Sequence, residues 1–288
     1  YVQTGYVRNY GFEAMLSYGH RWGDFGWDSS FTFSANKNEI VELVKDYVHP
    51  ETGKTYNVDK LELKTDEGRG FGKAKFILKE GGTLGDLYTH ADLKRDINGN
   101  ILIDDSGNVT AIDNAGDIKL GSVLPKANLA WNNSFSYKGI NAGFLLTARL
   151  GGIVYSATQA YLDLYGVSET SAAARDAGGV WINGRSRVNP QSFYEVVASQ
   201  SGLPTYYTYS ATNLRLQEAH IGYTVPRRWL GNVCDINVSL VGRNLWMIYC
   251  KAPFDPEAVA TTNNYYQGID YFMMPSTRNI GFNIKINF

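Results

Sequence analysis

Residues 128–152 read NLAWNNSFSYKGINAGFLLTARLGG. Leu129, Trp131, Phe135 and Tyr137 share one parity before Lys138-Gly139; Ile140, Ala142, Phe144, Leu146, Ala148 and Leu150 share one after it. The opposite parities carry Asn128, Asn132, Ser134, Ser136, Asn141, Thr147 and Arg149. Successive side chains of a strand point to opposite faces, so this stretch spells two strands joined by a tight turn, with one apolar and one polar face. The apolar face must meet either a core or lipid.

The same alternation recurs along the chain. In GFEAMLSYGHRW (11–22) Phe12, Ala14, Leu16, Tyr18, His20 and Trp22 share a face, and after Gly23-Asp24 the run FGWDSSFTFSA groups Phe25, Trp27, Phe31 and Phe33. The chain closes on RNIGFNIKINF (278–288), where Ile280, Phe282, Ile284, Ile286 and Phe288 alternate with Gly281, Asn283, Lys285 and Asn287. GKAKFILKE, TLGDLYTHA, ATNLRLQEAHIGYTVP and CDINVSLVGRNLW complete an expected set of about nine strands. The apolar parity switches between Leu216 and Ala219, which predicts a β-bulge.

The expected connections alternate between short turns and long loops. Outer-membrane barrels have this asymmetry, with short periplasmic turns and long external loops, whereas a two-layer sandwich has no reason for it. The fold class predicted is all-β: an antiparallel transmembrane β-barrel portion with long extracellular loops. Counting back from the end places the C-terminus on the short-turn, periplasmic side. An odd number of strands does not close such a barrel, so further strands are expected. Residues 1–288 read as one unit, with no internal domain boundary.

Composition agrees. Lys plus Arg (27) balances Asp plus Glu (28), which removes the electrostatic argument for a nucleic-acid partner. Aromatics reach 14%, with 20 Tyr, as befits amphipathic rings at a membrane boundary. No apolar run reaches the eighteen or so residues of a spanning helix. The start at Tyr1, with no targeting segment, reads as a mature, processed or partial chain.

Catalytic patterns are scarce. The four histidines lack metal-ligand spacing, and no G-x-S-x-G, P-loop or dinucleotide fingerprint occurs, so the reading is not an enzyme. Asp96, Asn98, Asn100, Asp104 and Asp105 supply oxygen ligands of the kind Ca2+ takes, but the same stretch reads as a hairpin with an Asn98-Gly99 turn. Aromatic loop clusters are the positive signal: Tyr206 and Tyr207 in PTYYTYS, and Tyr265, Tyr266, Tyr271 and Phe272 in NNYYQGIDYFMMP. Such rings can stack on a sugar face or an extended peptide, or simply pack the loops together. A secreted carbohydrate-binding β-sandwich is the alternative, and a β-rich glycosidase a more distant one.

GYVRNYGFEAMLSYGHRWGDFGWDSSFTFSANKNEIVEL, LGSVLPKANLAWNNSFSYKG, ARLGGIVYSAT, NLRLQEAHIGYTVPRRW, VGRNLWMIYCKAPFDPE and PSTRNIGFNIKINF follow one another as do blocks in the C-terminal part of SusC/RagA-type TonB-dependent outer-membrane transporters, which the chain resembles. Leu216, Gly222, Tyr223 and Pro226, and Asn244, Leu245, Asp255, Pro256 and Glu257, carry the most specific matches. The resemblance implies a barrel of about 22 strands around an N-terminal plug, of which this chain supplies about the last nine. It also implies a SusD-like surface lipoprotein, a TonB complex acting through N-terminal parts, and import of oligosaccharides, with oligopeptides as the alternative. Asn132, Asn141, Arg149, Asn283 and Lys285 would then face the lumen, and the terminal Phe288 would resemble the barrel assembly signal.

Overall fold

A computed structural model describes residues 5–63, 72–231, 233–260 and 267–287. Seven antiparallel strands form its large sheet in sequence order: β1 (Tyr6–Trp22), β2 (Phe25–Glu42), β3 (Ala127–Tyr137), β4 (Ile140–Leu150), β5 (Asn213–Val225), β6 (Asp235–Cys250) and β7 (Asn279–Asn287). Residues 23–24, 138–139 and 226–234 connect them at one end, and residues 43–126, 151–212 and 251–278 at the other. The expected alternation of short and long connections is present.

Register carries the apolar parity across the whole wall. One row runs His20, Trp27, Phe135, Ala142, Ile221, Leu240 and Phe282; the next runs Trp22, Phe25, Tyr137, Ile140, Tyr223, Val238 and Ile284. From Phe12 to Trp22 on β1, and along the rows level with them, this face has no Asp, Glu, Lys or Arg. Leu16 is 73% exposed and Phe282 78%, since nothing among the described residues covers them. Ten residue steps on a strand tilted by about 40° give a band roughly 25 Å tall, the height of the apolar band of outer-membrane barrels. A patch of this extent is not left facing water.

Two indole N–H groups on this face find partners there, while the buried Asn133 Nδ2 has none. Trp27 donates its indole N–H to Asn133 Oδ1 at 3.1 Å, and Trp131 donates to Ser29 Oγ at 3.0 Å. A buried or lipid-facing indole N–H needs such a partner. At the short-turn edge Trp22 stacks on Phe25 (6.0 Å) and His20 lies 4.5 Å from Trp22, the start of an aromatic girdle.

The strand count differs from the expectation. Ala74–Lys79 and Asp86–Thr89 pair in a separate four-stranded sheet with Lys60–Glu62 and Ile118–Ser122. Phe76 and Ile77 are adjacent and each 1% exposed, so this strand is buried on both faces; a wall strand would bury one. With 6 and 4 residues the two strands are also too short to span hydrocarbon. The wall holds seven of the nine expected strands.

The main hydrophobic core lies entirely in the long connections. Ala74, Phe76, Leu87, Leu93, Val123, Tyr155, Val188, Phe193, Val197, Leu203 and Ile269 belong to it, and no residue of β1–β7 does. Three helices pack there: α1 (Ala157–Leu164), α2 (Glu169–Asp176) and α3 (Pro190–Val197), N-capped by Ser156, Ser168 and Asn189. The first two lie just ahead of Gly178-Gly179. The connections thus form a folded layer on one end of the wall.

Asn183, at the turn of the hairpin 180–188, accepts from the Ile101 amide (3.0 Å) and donates to the Ile101 carbonyl (2.9 Å). It clamps the 94–104 hairpin to the layer. At about 1 kcal/mol per net hydrogen bond, loss of the two in Asn183→Ala should speed amide exchange at Ile101 by about thirtyfold while leaving the wall unchanged. Unchanged exchange would show that the clamp does not hold the hairpin.

Candidate functional site

The polar face of the wall is where chemistry collects. Register places Asn132 opposite Ser30, Asn141 opposite Gly222, Asn283 opposite Ser239 and Lys285 opposite Asn237, all on the face away from the apolar band, and Arg149 lies on it opposite Asn213. The five residues expected to face a lumen therefore share one face.

Next to the loop layer this face forms a concavity of about 830 Å3, whose polar lining includes Glu13, Ser34, Asn128, Thr147, Arg149, Gln217 and Glu257. Arg149 donates to the Val123 carbonyl at 2.8 Å, while its buried Nε has no partner. Glu257 is the acid whose charge acts on this partly unsatisfied guanidinium, and Glu13 lies three strands away in the same lining. Further along the same face Arg243 pairs with Glu218 at 3.0 Å.

Arg215 organises the rim. Its side chain is 5% exposed; it donates to Asn244 Oδ1 (2.8 Å) and Asp255 Oδ1 (2.7 Å), and lies 3.4 Å from Glu257 Oε2. Asn244 adopts a left-handed conformation (φ 52°) within β6 and donates to the Thr277 carbonyl at 3.2 Å. Asn213 donates to Glu257 Oε1 at 3.3 Å. Arg215 therefore ties one arm of the 251–278 connection to β5, and Asn244, which it bonds, ties the other to β6. Burial opposes the charge of Asp255, but hydrogen bonds from Arg215, Ser276 and the Glu257 amide outweigh it and hold the carboxyl below its ordinary range. The register shifts between Leu216 and Glu218, so the predicted bulge is present.

Asn244, Asp255 and Glu257 served in the sequence only as marks of a resemblance; their joint role around Arg215 was not read there. Nor were Glu13 and Gln217, which join Arg149 in lining one concavity only through register. The parity break at Leu216 was the one sequence signal pointing to this rim.

The loop aromatics are placed differently from the expectation of a ligand platform. Tyr207 is 2% exposed and donates to Asp163 Oδ2 at 3.0 Å, which leaves it no surface for a ligand. Burial first, and then the Asp163 charge, push its phenol well above the ordinary range, and Tyr209 beside it is pushed up to about 12. Tyr206 is half-buried with its ring 6.1 Å from Phe193. Tyr271 and Phe272 pack on Tyr161 at 6.3 and 5.4 Å. Of these four, Phe272 keeps the most exposed ring. Tyr265, Tyr266 and Phe288 lie outside the described residues.

Asp163 also accepts from Ser168 and from Gln159 Nε2 (3.0 Å), so it is a buried carboxylate dependent on its donors. Tyr207→Phe keeps the ring and removes one donor, which should lower stability by about 1.5–3 kcal/mol, read as a fall in the denaturant midpoint. Loss of ligand capture with unchanged stability would instead restore Tyr207 as a contact residue.

The 96–105 acids are engaged in turns. Asp96 Oδ1 accepts from the Asn98 and Asn100 amides (both 2.8 Å), and Asp104 Oδ1 accepts from Ser106 and Asn108 (both 2.9 Å). The Asn100 bonds hold the Asp96 carboxyl below its usual range. Among the described residues no three His, Cys, Asp or Glu side chains are grouped to share a metal ion.

No protein-family model matches the chain. TonB-dependent receptor P3 of Formosa agariphila is 25% identical over 91% of the chain and 27% of its own length. TonB-dependent receptor P26 of the same organism is 25% identical over 99% of the chain and 29% of its own length. Among solved structures, the RagAB peptide transporter superposes with a TM-score of 0.66 at 17% identity, over 99% of this chain and 30% of that one. The chain thus spans less than a third of the relatives it matches. They bear out the resemblance and the all-β antiparallel barrel architecture, and they are receptors and transporters rather than enzymes.

Proposed function

We propose that the chain, similar along nearly all its length to TonB-dependent receptors, is the C-terminal wall section of a SusC/RagA-type outer-membrane nutrient importer. The observation that carries this reading is the apolar face that register maintains, free of Asp, Glu, Lys and Arg, across seven strands. A face of this height and length fits hydrocarbon. β1 and β7 each pair on one side only, and in a membrane such edges need partners, which the remaining strands of a barrel would supply. The short turns and C-terminus then face the periplasm and the folded layer faces outward. Asn132, Asn141, Arg149, Asn283 and Lys285 line the lumen.

The complete protein would receive cargo from a SusD-like surface lipoprotein and draw energy from the TonB complex through its N-terminal parts. Cargo would leave the external layer along the concavity beside Arg149. The mixture of Arg149, Glu13 and Glu257 there suits oligopeptides, whose termini and side chains are charged, better than neutral sugars. Oligosaccharides are the second reading, favoured by the tyrosine-rich loops that Tyr265 and Tyr266 extend.

Uptake by cells carrying the complete transporter and its neighbouring lipoprotein, supplied with matched sets of neutral oligosaccharides and oligopeptides, tests both. Peptide uptake that falls on Arg149→Ala supports the first reading; sugar uptake that falls on joint change of Tyr265 and Tyr266 to Ala supports the second. Recovery of the complete protein in the soluble fraction without detergent would refute the membrane assignment.

A further inference from the structure

We propose that Arg8 and Lys37, on either side of Tyr10, form a docking site on the outside of the wall for the phosphate-bearing headgroup of an outer-leaflet lipid. The inference rests on the membrane orientation proposed above. Below Phe12 the outward parity of β1 and β2 carries no ionic side chain. Two residues above it charge begins: Tyr10 pairs with Lys37 and Arg8 with Glu39, on the same parity as Phe12 and Ala35. This is the level at which hydrocarbon would give way to headgroups.

The inner side of these two strands is already taken. Asn38 donates to Asn9 at 2.8 Å and accepts from the Leu84 amide at 2.7 Å, so the folded layer covers that face and leaves the outward one open. There Arg8 Cζ lies 5.7 Å and Lys37 Nζ 5.5 Å from the centre of the Tyr10 ring. Glu39 is the local counter-charge, 3.1 Å from Arg8 and 3.7 Å from Lys37. Two cations against one carboxylate leave a surplus of positive charge, and both cationic side chains are more than half exposed. An amphipathic ring between two basic groups at a membrane boundary complements an anionic phosphate anchored in the leaflet beneath it.

The test uses the complete transporter in detergent, titrated with phosphorylated lipid A and with lipid A stripped of its phosphates, and bound lipid counted by native mass spectrometry. The native protein should prefer the phosphorylated lipid, by about fivefold for each basic side chain engaged. The double substitution R8Q/K37Q should abolish the preference while leaving binding of the stripped lipid and barrel assembly unchanged. Glu39→Gln, which removes only the counter-charge, should strengthen it. Equal preference in native protein and R8Q/K37Q would overturn the proposal, as would displacement of the lipid by millimolar inorganic phosphate, which would mark a free-anion site. Failure of all forms to bind either lipid, with the protein soluble without detergent, would overturn the membrane reading as well.

Discussion

Leu146→Arg should lower the folding stability of the complete barrel by about 2–4 kcal/mol, whereas Thr147→Arg should change it by less than about 1 kcal/mol. The two positions are neighbours on β4. Leu146 stands in the row of Leu16, Phe31, Trp131 and Leu216 on the apolar face, and Thr147 stands opposite Arg215 on the polar one. A guanidinium at position 146 would lie near mid-depth in hydrocarbon, whereas one at 147 would meet water and polar side chains. Reversible unfolding in phospholipid vesicles reads the difference. Equal costs at the two positions would mean that the faces do not differ in environment.

Removal of the Arg215 side chain carries the next largest effect. Arg215→Ala leaves Asp255, 10% exposed, without its cation, and removes the support of Asn244, which holds the second arm of the 251–278 connection at Thr277. Breaking a buried pair from one side costs about 3–5 kcal/mol. Arg215→Lys restores the charge but not the fork that reaches Asn244 and Asp255 together, and should recover part of that. The pH dependence follows from the depressed Asp255 pKa. A carboxyl whose folded-state pKa lies below its unfolded value of about 3.9 contributes stability above that value and loses it as pH falls through the folded pKa. The native barrel should therefore lose this contribution only below about pH 4, and Arg215→Ala should lack that acid step. Parallel acid profiles for the two proteins would separate Asp255 from Arg215.

The wall was legible in sequence because its two sides obey one rule at nearly every step: NLAWNNSFSYKG, with Asn133 its exception, and RNIGFNIKINF each give their apolar parity without help from tertiary structure. The separation of Ala74–Lys79 and Asp86–Thr89 from the wall was harder to read. AKFILK alternates well enough to resemble a wall strand, but its adjacent Phe76 and Ile77 both enter the core of the folded layer. The aromatic loops misled for a related reason. A tyrosine in a loop suggests exposure, yet these loops have a core of their own, and Tyr207 spends its hydroxyl on Asp163 inside it. The rim around Arg215 depends on residues 29 to 40 positions apart in sequence, which no local pattern joins.

The most direct measurement places single cysteines at Val238, Ser239, Leu240 and Val241 of β6 in the complete protein, labels them with a nitroxide and reconstitutes it in lipid. Oxygen and water-soluble paramagnetic reagents then report what each label touches. Labels at 238 and 240 should respond to oxygen as lipid-exposed sites do, and those at 239 and 241 to the water-soluble reagent, alternating with the pleat of the strand. Equal access of the water-soluble reagent to all four positions would contradict a wall whose apolar face meets lipid.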